Sequence, residues 1–360
     1  MSHSLSKKFT FGSLLLFALP TTVMMVVMSL YTIVDGVFVS RFVSTNALSS
    51  VNIVYPVINI VLGISVMLSM GSNAIVAKKM GEGRPDSARE TFTTIILLNI
   101  IIGLAFAILG NLAAVPLSRM LGASDLLLAD CVTYLRWQLA FAPSLMLQIQ
   151  VFCHGGKARH RSVSHPAGRH CQRSLLMMHC AGEDGVAAIT IIQYSQFLLN
   201  ALFMGFSQGV SPVISFNYGS RNHQQLRQVF ITSLIFTAAS SLAVFLMARL
   251  GGSLVVEIFA RRGTPVYELA RHGFMIFACS FLFSGFTIFA SALFTALSDG
   301  RISAIISFVR TFGLIITSLL VLPFIIGMDG VWLAIPIAEF GGILLCLYFL
   351  RKYRTKYHYA

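Results

Sequence analysis

Nine apolar runs, each close to the length of a bilayer-crossing helix, constrain this chain more than any other feature. They lie at about 11–34, 51–76, 92–118, 133–152, 186–216, 229–250, 272–296, 302–327 and 331–350. A helix needs roughly 20 mostly apolar residues to cross the hydrocarbon core, because it rises only ~1.5 Å per residue. Composition agrees: 56% of residues are hydrophobic and 11% charged, whereas a soluble domain carries roughly 25% charged residues. Disordered, coiled-coil and disulfide-scaffold classes are excluded, which leaves an all-α polytopic membrane protein. The first run continues past Pro20 to Val34 with no small-residue cleavage site, so it reads as an uncleaved helix rather than a signal peptide. The net charge of +13 reads as Lys and Arg gathered in cytoplasmic loops, not as a nucleic-acid surface. The six Cys follow no disulfide framework. GEGR (81–84) lacks the Lys-Ser/Thr of a phosphate loop, and no triad or carboxylate pair stands at a convincing spacing. The chain does not read as an enzyme.

Orientation follows from the short loops. Lys7 and Lys8, then Lys78, Lys79, Arg84 and Arg89, fall inside if the chain begins in the cytoplasm. Arg221, Arg227, Arg301, Arg351, Lys352, Arg354 and Lys356 mark the same side in the second half. The two halves join only if an odd number of crossings lies between residues 152 and 186. Residues 153–173 instead hold Lys157, Arg159, Arg161, Arg169 and Arg173. One charged residue at the centre of a membrane helix costs roughly 2.5–3.5 kcal/mol, so this segment is expected not to cross.

An internal repeat accompanies the discontinuity. Residues 71–92 precede their counterparts 209–230 by 138 positions, pairing Gly71 with Gly209, Gly81 with Gly219, Arg89 with Arg227 and Phe92 with Phe230. Such duplication is characteristic of secondary transporters. The first four spans start about 40 residues apart, so a six-helix repeat predicts an offset near 240. The observed offset is shorter by two to three spans.

The segments LYTIVDGVFVSRFVSTNALSSVNIVYPV (30–57), GEDGVAAITII (182–192), GVSPVISFNYGS (209–220), SALFTALSDGRISAIISFVRT (291–311) and DGVWLAIPIAEF (329–340) resemble the multidrug and toxic compound extrusion (MATE) family, nearest its DinF-like, MepA-like bacterial branch. The resemblance covers roughly 1–152 and 176–360. It implies a two-lobe bundle in which about nine of twelve transmembrane helices are kept. The resulting division is 1–151 as an N-lobe remnant with helices one to four, 152–182 as an aberrant basic junction, and 183–360 as a C-lobe remnant with helices eight to twelve.

The junction holds five of the nine His and three of the six Cys. A zinc insert would use these residue types, but no paired C-x2-C or H-x3-5-H spacing appears, and no metal site is assigned. The alternative is a frameshift. Lys157 to Leu175 can be back-translated so that a neighbouring frame spells an apolar helix, with a deletion following and the family frame resuming near Leu176.

Asp35 is the most telling ionisable residue, because a carboxylate within or at the end of an apolar run is costly unless it faces a cavity. From the residues alone, a coupling role and an ordinary boundary position are equally open. The resemblance places Asp35 on the family's coupling aspartate and Pro20 on its helix-bending proline. Tyr31, one turn before Asp35, shares its face. Asn52, Gln148, Gln196 and Asn200 are substrate-lining candidates that could equally tie helices together. Arg310 and Glu339 are expected to pair within the C-lobe. The branch's cation site also draws an Asn and an Asp from helix five and a Thr from helix six, none with a counterpart here. A hard monovalent ion would lack its usual oxygen ligands, which favours protonation of Asp35 over sodium coupling.

The resemblance therefore implies a multi-pass efflux antiporter of the bacterial inner (plasma) membrane. It would export amphipathic, often cationic drugs against inward H+ or Na+, with no cofactor besides the coupling ion, in a shortened and impaired chain. Two alternatives stand beside it: a non-transporting or partner-binding membrane remnant, and a metal-sensing membrane protein using the His/Cys segment.

Overall fold

The computed structural model describes residues 9–38, 45–121, 123, 125–154 and 167–359. Their regular structure is all helical. The helices are α1 (Phe11–Phe38), α2 (Thr45–Gly81), α3 (Pro85–Leu112), α4 (Ala114–Met120), α5 (Asp125–Ala140), α6 (Ala142–His154), α7 (Ala167–Gly219), α8 (His223–Phe259), α9 (Pro265–Phe277), α10 (Phe281–Ala296), α11 (Gly300–Phe308), α12 (Ile315–Ile326) and α13 (Met328–Tyr357). A 3-10 turn (Ala278–Ser280) joins α9 to α10, and a π turn (Val309–Leu314) joins α11 to α12.

Among the described residues, eight stretches are long and apolar enough to cross a membrane: Phe11–Tyr31, Ile60–Gly81, Pro85–Leu112, Ile191–Gly219, His223–Phe259, Pro265–Ala296, Gly300–Ile326 and Met328–Tyr357. The run expected at 133–152 is divided between α5 and α6. Pro143 explains the break: it has no N–H to give the Leu139 carbonyl, and its ring crowds that turn. Pro116 acts likewise in the run expected at 92–118, where α3 stops at Leu112 and α4 begins two residues later.

A further difference concerns the junction. The expected helix at 186–216 begins at Ala167 and runs 53 residues, through Arg169, Arg173, Glu183 and Asp184. At ~1.5 Å per residue it is ~80 Å long, well over twice the hydrocarbon thickness. Only Ile191–Gly219 of it has the length and apolarity of a crossing segment.

The repeat is written into the element boundaries. Helix α2 ends at Gly81 and α3 starts at Pro85; α7 ends at Gly219 and α8 starts at His223, both 138 positions later. The same offset carries the α5–α6 break at Phe141 onto Cys279, the middle of the 3-10 turn between α9 and α10. The duplicated unit is therefore four segments deep, beyond the stretch that residue matching revealed.

The chain divides into two compact units. Unit 1 comprises Met1–Val26, Ala77–Gly83 and His170–Ala360; unit 2 comprises Val27–Val76 and Arg84–Arg169. In unit 1 one buried cluster gathers Phe9, Leu14 and Ala18 with Phe206, Val210, Leu226 and Phe294, and a second centres on Phe274, Phe277, Phe281 and Trp332. The core of unit 2 contains Val54, Val61, Leu135, Leu139 and Ile149. Leu16, Leu109, Ile258 and Phe324 instead point outward. That distribution suits a bundle in lipid, where outward apolar surface carries no cost and helices associate by close packing.

Candidate functional site

Helix α1 carries the two residues singled out from the sequence, and it is shared between the units: its residues up to Val26 belong to unit 1 and those from Val27 to unit 2. Pro20 lies inside the helix without ending it. A proline there cannot donate to the Leu16 carbonyl, which weakens the helical ladder at that turn. Two residues on, Thr22 Oγ1 donates to the Ala18 carbonyl at 2.9 Å, a back-bond that bends helices slightly.

The turns flanking Pro20 are seated on α7. A Cβ added to Gly205 would come within 2.5 Å of Thr22 Cα, and one added to Gly209 within 2.9 Å of Ala18 Cα. The two glycines, one turn apart, admit the α1 backbone where any side chain would hold it off. Gln225 Nε2 donates to the Phe9 carbonyl at 3.1 Å, anchoring the start of the same half-helix to α8.

Asp35 falls in the last turn of α1, and its side chain lies outside the described residues. Tyr31, one turn earlier, is exposed. Asn52 is carried by α2, and its side chain too lies outside the described residues. Gln148 is on the exposed face of α6, with Nε2 3.5 Å from Ser144 Oγ. Gln196 and Asn200 share a face of α7 one turn apart, both half-buried, and Asn200 accepts from Ser284 Oγ at 3.2 Å.

Two polar networks lie inside the units. In unit 2, Asn99 Nδ2 donates to Gln150 Oε1 at 3.0 Å, Gln150 Nε2 to Ser72 Oγ at 2.7 Å, and Ser72 Oγ to the Ser69 carbonyl at 2.9 Å. All three side chains are buried. This chain was not anticipated, although a lone amide inside the apolar stretch LLNIII was its available signal. At the repeat-equivalent positions unit 1 has Val210, Thr237 and Ile288, so the network belongs to one half alone.

In unit 1 the expected pairing of Arg310 with Glu339 is present and passes through a third residue. Arg310 Nη1 is 3.6 Å from Glu339 Oε2 and donates to Thr287 Oγ1 at 2.6 Å. Thr287 has one proton to give, toward Glu339 Oε2 at 2.9 Å or the Ser284 carbonyl at 3.0 Å. Glu339 is 2% exposed, and a buried carboxylate persists in such a place only with partners. Arg310 leaves the π turn, a local widening of the helix that often accompanies functional positions.

Outside the spans, Asp299 caps α11 by accepting from the Ile302 amide, takes the Tyr357 hydroxyl on Oδ2, and lies 3.5 Å from Lys356 Nζ. Burial pushes this carboxyl up. The hydrogen bonds from Tyr357 and Ile302, together with the Lys356 charge, outweigh burial and hold it below its ordinary value. Among the described residues no cluster of three or more His, Cys, Asp or Glu could hold a metal ion. The His/Cys side chains of the 152–182 segment lie outside the described residues.

Eight apolar segments of crossing length among the described residues, with a four-segment duplication, define a polytopic membrane protein built on an internally repeated helix bundle. A profile of the MatE family matches residues 20–153 and 173–320, and the chain belongs to that family. Its fold is similar to the outward-facing conformation of a multidrug resistance MATE family transporter of the MOP superfamily, with TM-score 0.85 and 17% identity over 99% of this chain and 98% of the other. It is also similar to the MATE multidrug transporter DinF-BH, with TM-score 0.76 and 19% identity over 96% of each chain. Among curated proteins, the uncharacterized transporter YisQ of Bacillus subtilis is 28% identical over 102 residues, which is 28% of this chain and 22% of that protein. A FAD transporter of Shewanella oneidensis is 25% identical over 134 residues, 37% of this chain and 29% of its own length. The chain thus spans less than a third of either curated relative in these matches.

Proposed function

We propose that this chain is a MATE-type efflux antiporter of the DinF-like, MepA-like branch, set in a bacterial inner membrane and shortened by an internal deletion. Its substrates are amphipathic, often cationic compounds, and inward proton flow through Asp35 drives their export. The observation that carries the reading is the construction of α1. Asp35 lies in the last turn of a helix whose residues divide between the two units, and the weak turn at Pro20 lies on the unit 1 side of the division. A proton arriving on Asp35 removes a charge from one end of that helix, and the turn at Pro20 can absorb the resulting bend. Tyr31, Asn52, Gln148, Gln196 and Asn200 are the proposed substrate-facing groups.

The deletion is supported by the short 138-residue offset and by the interruption of the family match between residues 153 and 173. It removes the fifth- and sixth-helix oxygens of the branch's cation site, so the coupling ion is a proton and transport is weaker than in a full-length relative. The coding DNA around codons 150–182 tests the frameshift: a neighbouring frame that spells no apolar helix would refute it.

The functional test is accumulation of a fluorescent cationic dye in cells expressing the native chain, Asp35→Asn, or neither. Lower accumulation with the native chain alone is the expected result. Equal accumulation in all three would leave the chain as a non-transporting membrane protein. Flavin in the medium is the second readout, since the Shewanella relative is a FAD transporter; flavin export without dye export would move the substrate class away from cations.

A further inference from the structure

We propose that the last turns of α13 form a binding site for the headgroups of anionic phospholipids. Met328–Leu350, the apolar part of α13, rises ~35 Å, enough to cross a hydrocarbon core of ~30 Å. Arg351–Tyr357 continues the helix beyond that length, which carries it out of the core to headgroup depth. This stretch carries Arg351, Lys352, Arg354 and Lys356, and no Asp or Glu follows Glu339 in the chain.

The cations are held rather than trailing. Lys352 Nζ lies 5.4 Å from the Tyr348 ring centre and 5.8 Å from that of Tyr353, and donates to the Tyr348 hydroxyl at 3.2 Å. Lys356 Nζ lies 5.4 Å from the ring centre of Tyr353 and 4.8 Å from that of Tyr357. The chain end locks the turn: His358 adopts a left-handed cap, and the buried Tyr359 donates its hydroxyl to the Leu350 carbonyl at 2.8 Å while packing on Phe230.

Aromatic faces fix the ammonium groups laterally and leave their outer sides exposed. A lipid phosphate therefore meets charges that have already lost much of their rotamer freedom. Asp299 reaches this turn at Lys356 and Tyr357. Loop charges that only set topology would need no such ordering. Tyrosine at headgroup depth and a basic cluster directly after a span are the physical requirements for anionic-lipid recognition.

The site is independent of transport, so the test uses folding stability of the full chain in neutral detergent. Phosphatidylglycerol should raise the thermal midpoint at low salt and lose that effect at high salt, while phosphatidylcholine leaves the midpoint unchanged. K352Q/K356Q should need roughly thirtyfold more phosphatidylglycerol for the same rise, the loss expected for two basic residues at a charged surface. K352R/K356R should respond like the native chain. If the glutamine variant does not fold, R351Q/R354Q is read in its place. An unchanged response in the neutralised variant, equal stabilisation by phosphatidylcholine, or full stabilisation by glycerol phosphate alone would each overturn the proposal.

Discussion

Gly81 and Gly219 meet reciprocally. A Cβ on Gly81 would strike the Phe216 carbonyl, and a Cβ on Gly219 would strike the Lys78 carbonyl. Phe216 stands 138 positions after Lys78, as Gly219 does after Gly81. The ends of α2 and α7 therefore cross about a local two-fold axis, backbone against backbone, with Lys78 Nζ resting 5.2 Å from the Tyr218 ring centre. Either glycine replaced by alanine should cost about 1–3 kcal/mol, because a carbonyl cannot rotate away as a side chain can. The double replacement should cost less than the two single values added, since one separation of the helices relieves both collisions. Thermal or denaturant unfolding of the three variants checks this.

The Arg310–Thr287–Glu339 network makes a sharper energetic prediction. Arg310→Met leaves Glu339 buried without its cation and should cost about 3–5 kcal/mol. Arg310→Met combined with Glu339→Met removes both charges and should recover most of that loss. A double variant no more stable than the single one would show that Glu339 does not depend on Arg310.

For Asp299 the expectation is a dependence on pH. Its carboxyl is held below the ordinary value of 3.8. The stabilisation it provides is therefore complete above that value and fades as pH falls through the lower folded-state value. Asp299→Asn keeps an N-cap acceptor and removes the charge. Its unfolding midpoint should lie below the native one at neutral pH and converge with it in acid. A gap that stays constant through the acid range would assign the loss to shape rather than charge.

In unit 2, Gln150→Leu should cost about 1–2 kcal/mol, leaving the Asn99 amide and the Ser72 hydroxyl without their shared partner. Asn99→Leu added to it should cost little more, because the Asn99 amide by then keeps only its bond to the Ile95 carbonyl of its own helix. Unfolding of the single and double variants provides the measurement.

Hydropathy marks crossing segments well, since lipid forces every backbone group into a helix. It does not mark interruptions inside an apolar run. Pro116 and Pro143 were legible as breakers, yet the runs at 92–118 and 133–152 read as continuous because their side chains stay apolar on both sides. The repeat was visible at Gly81 and Gly219, where backbone contact leaves no choice of residue. It faded through α5–α6 and α9–α10, where many apolar side chains pack equally well. The pairing of Arg310 with Glu339 was readable because intramembrane charges have few possible partners. Thr287, an ordinary residue in an apolar helix, gave no comparable signal. Nor did Gly205 and Gly209, whose importance depends on α1, far away in sequence.

That distance bears on how the protein is made. Ala18 leaves the ribosome roughly 190 residues before Gly209, which at typical elongation rates means about 10–40 s. Throughout that interval the first half of α1 has no α7 to lie against. It must wait in the membrane, or beside the insertion machinery, until the later helix arrives. Assembly of unit 1 is therefore a late event by its covalent order, whatever the speed of helix formation itself.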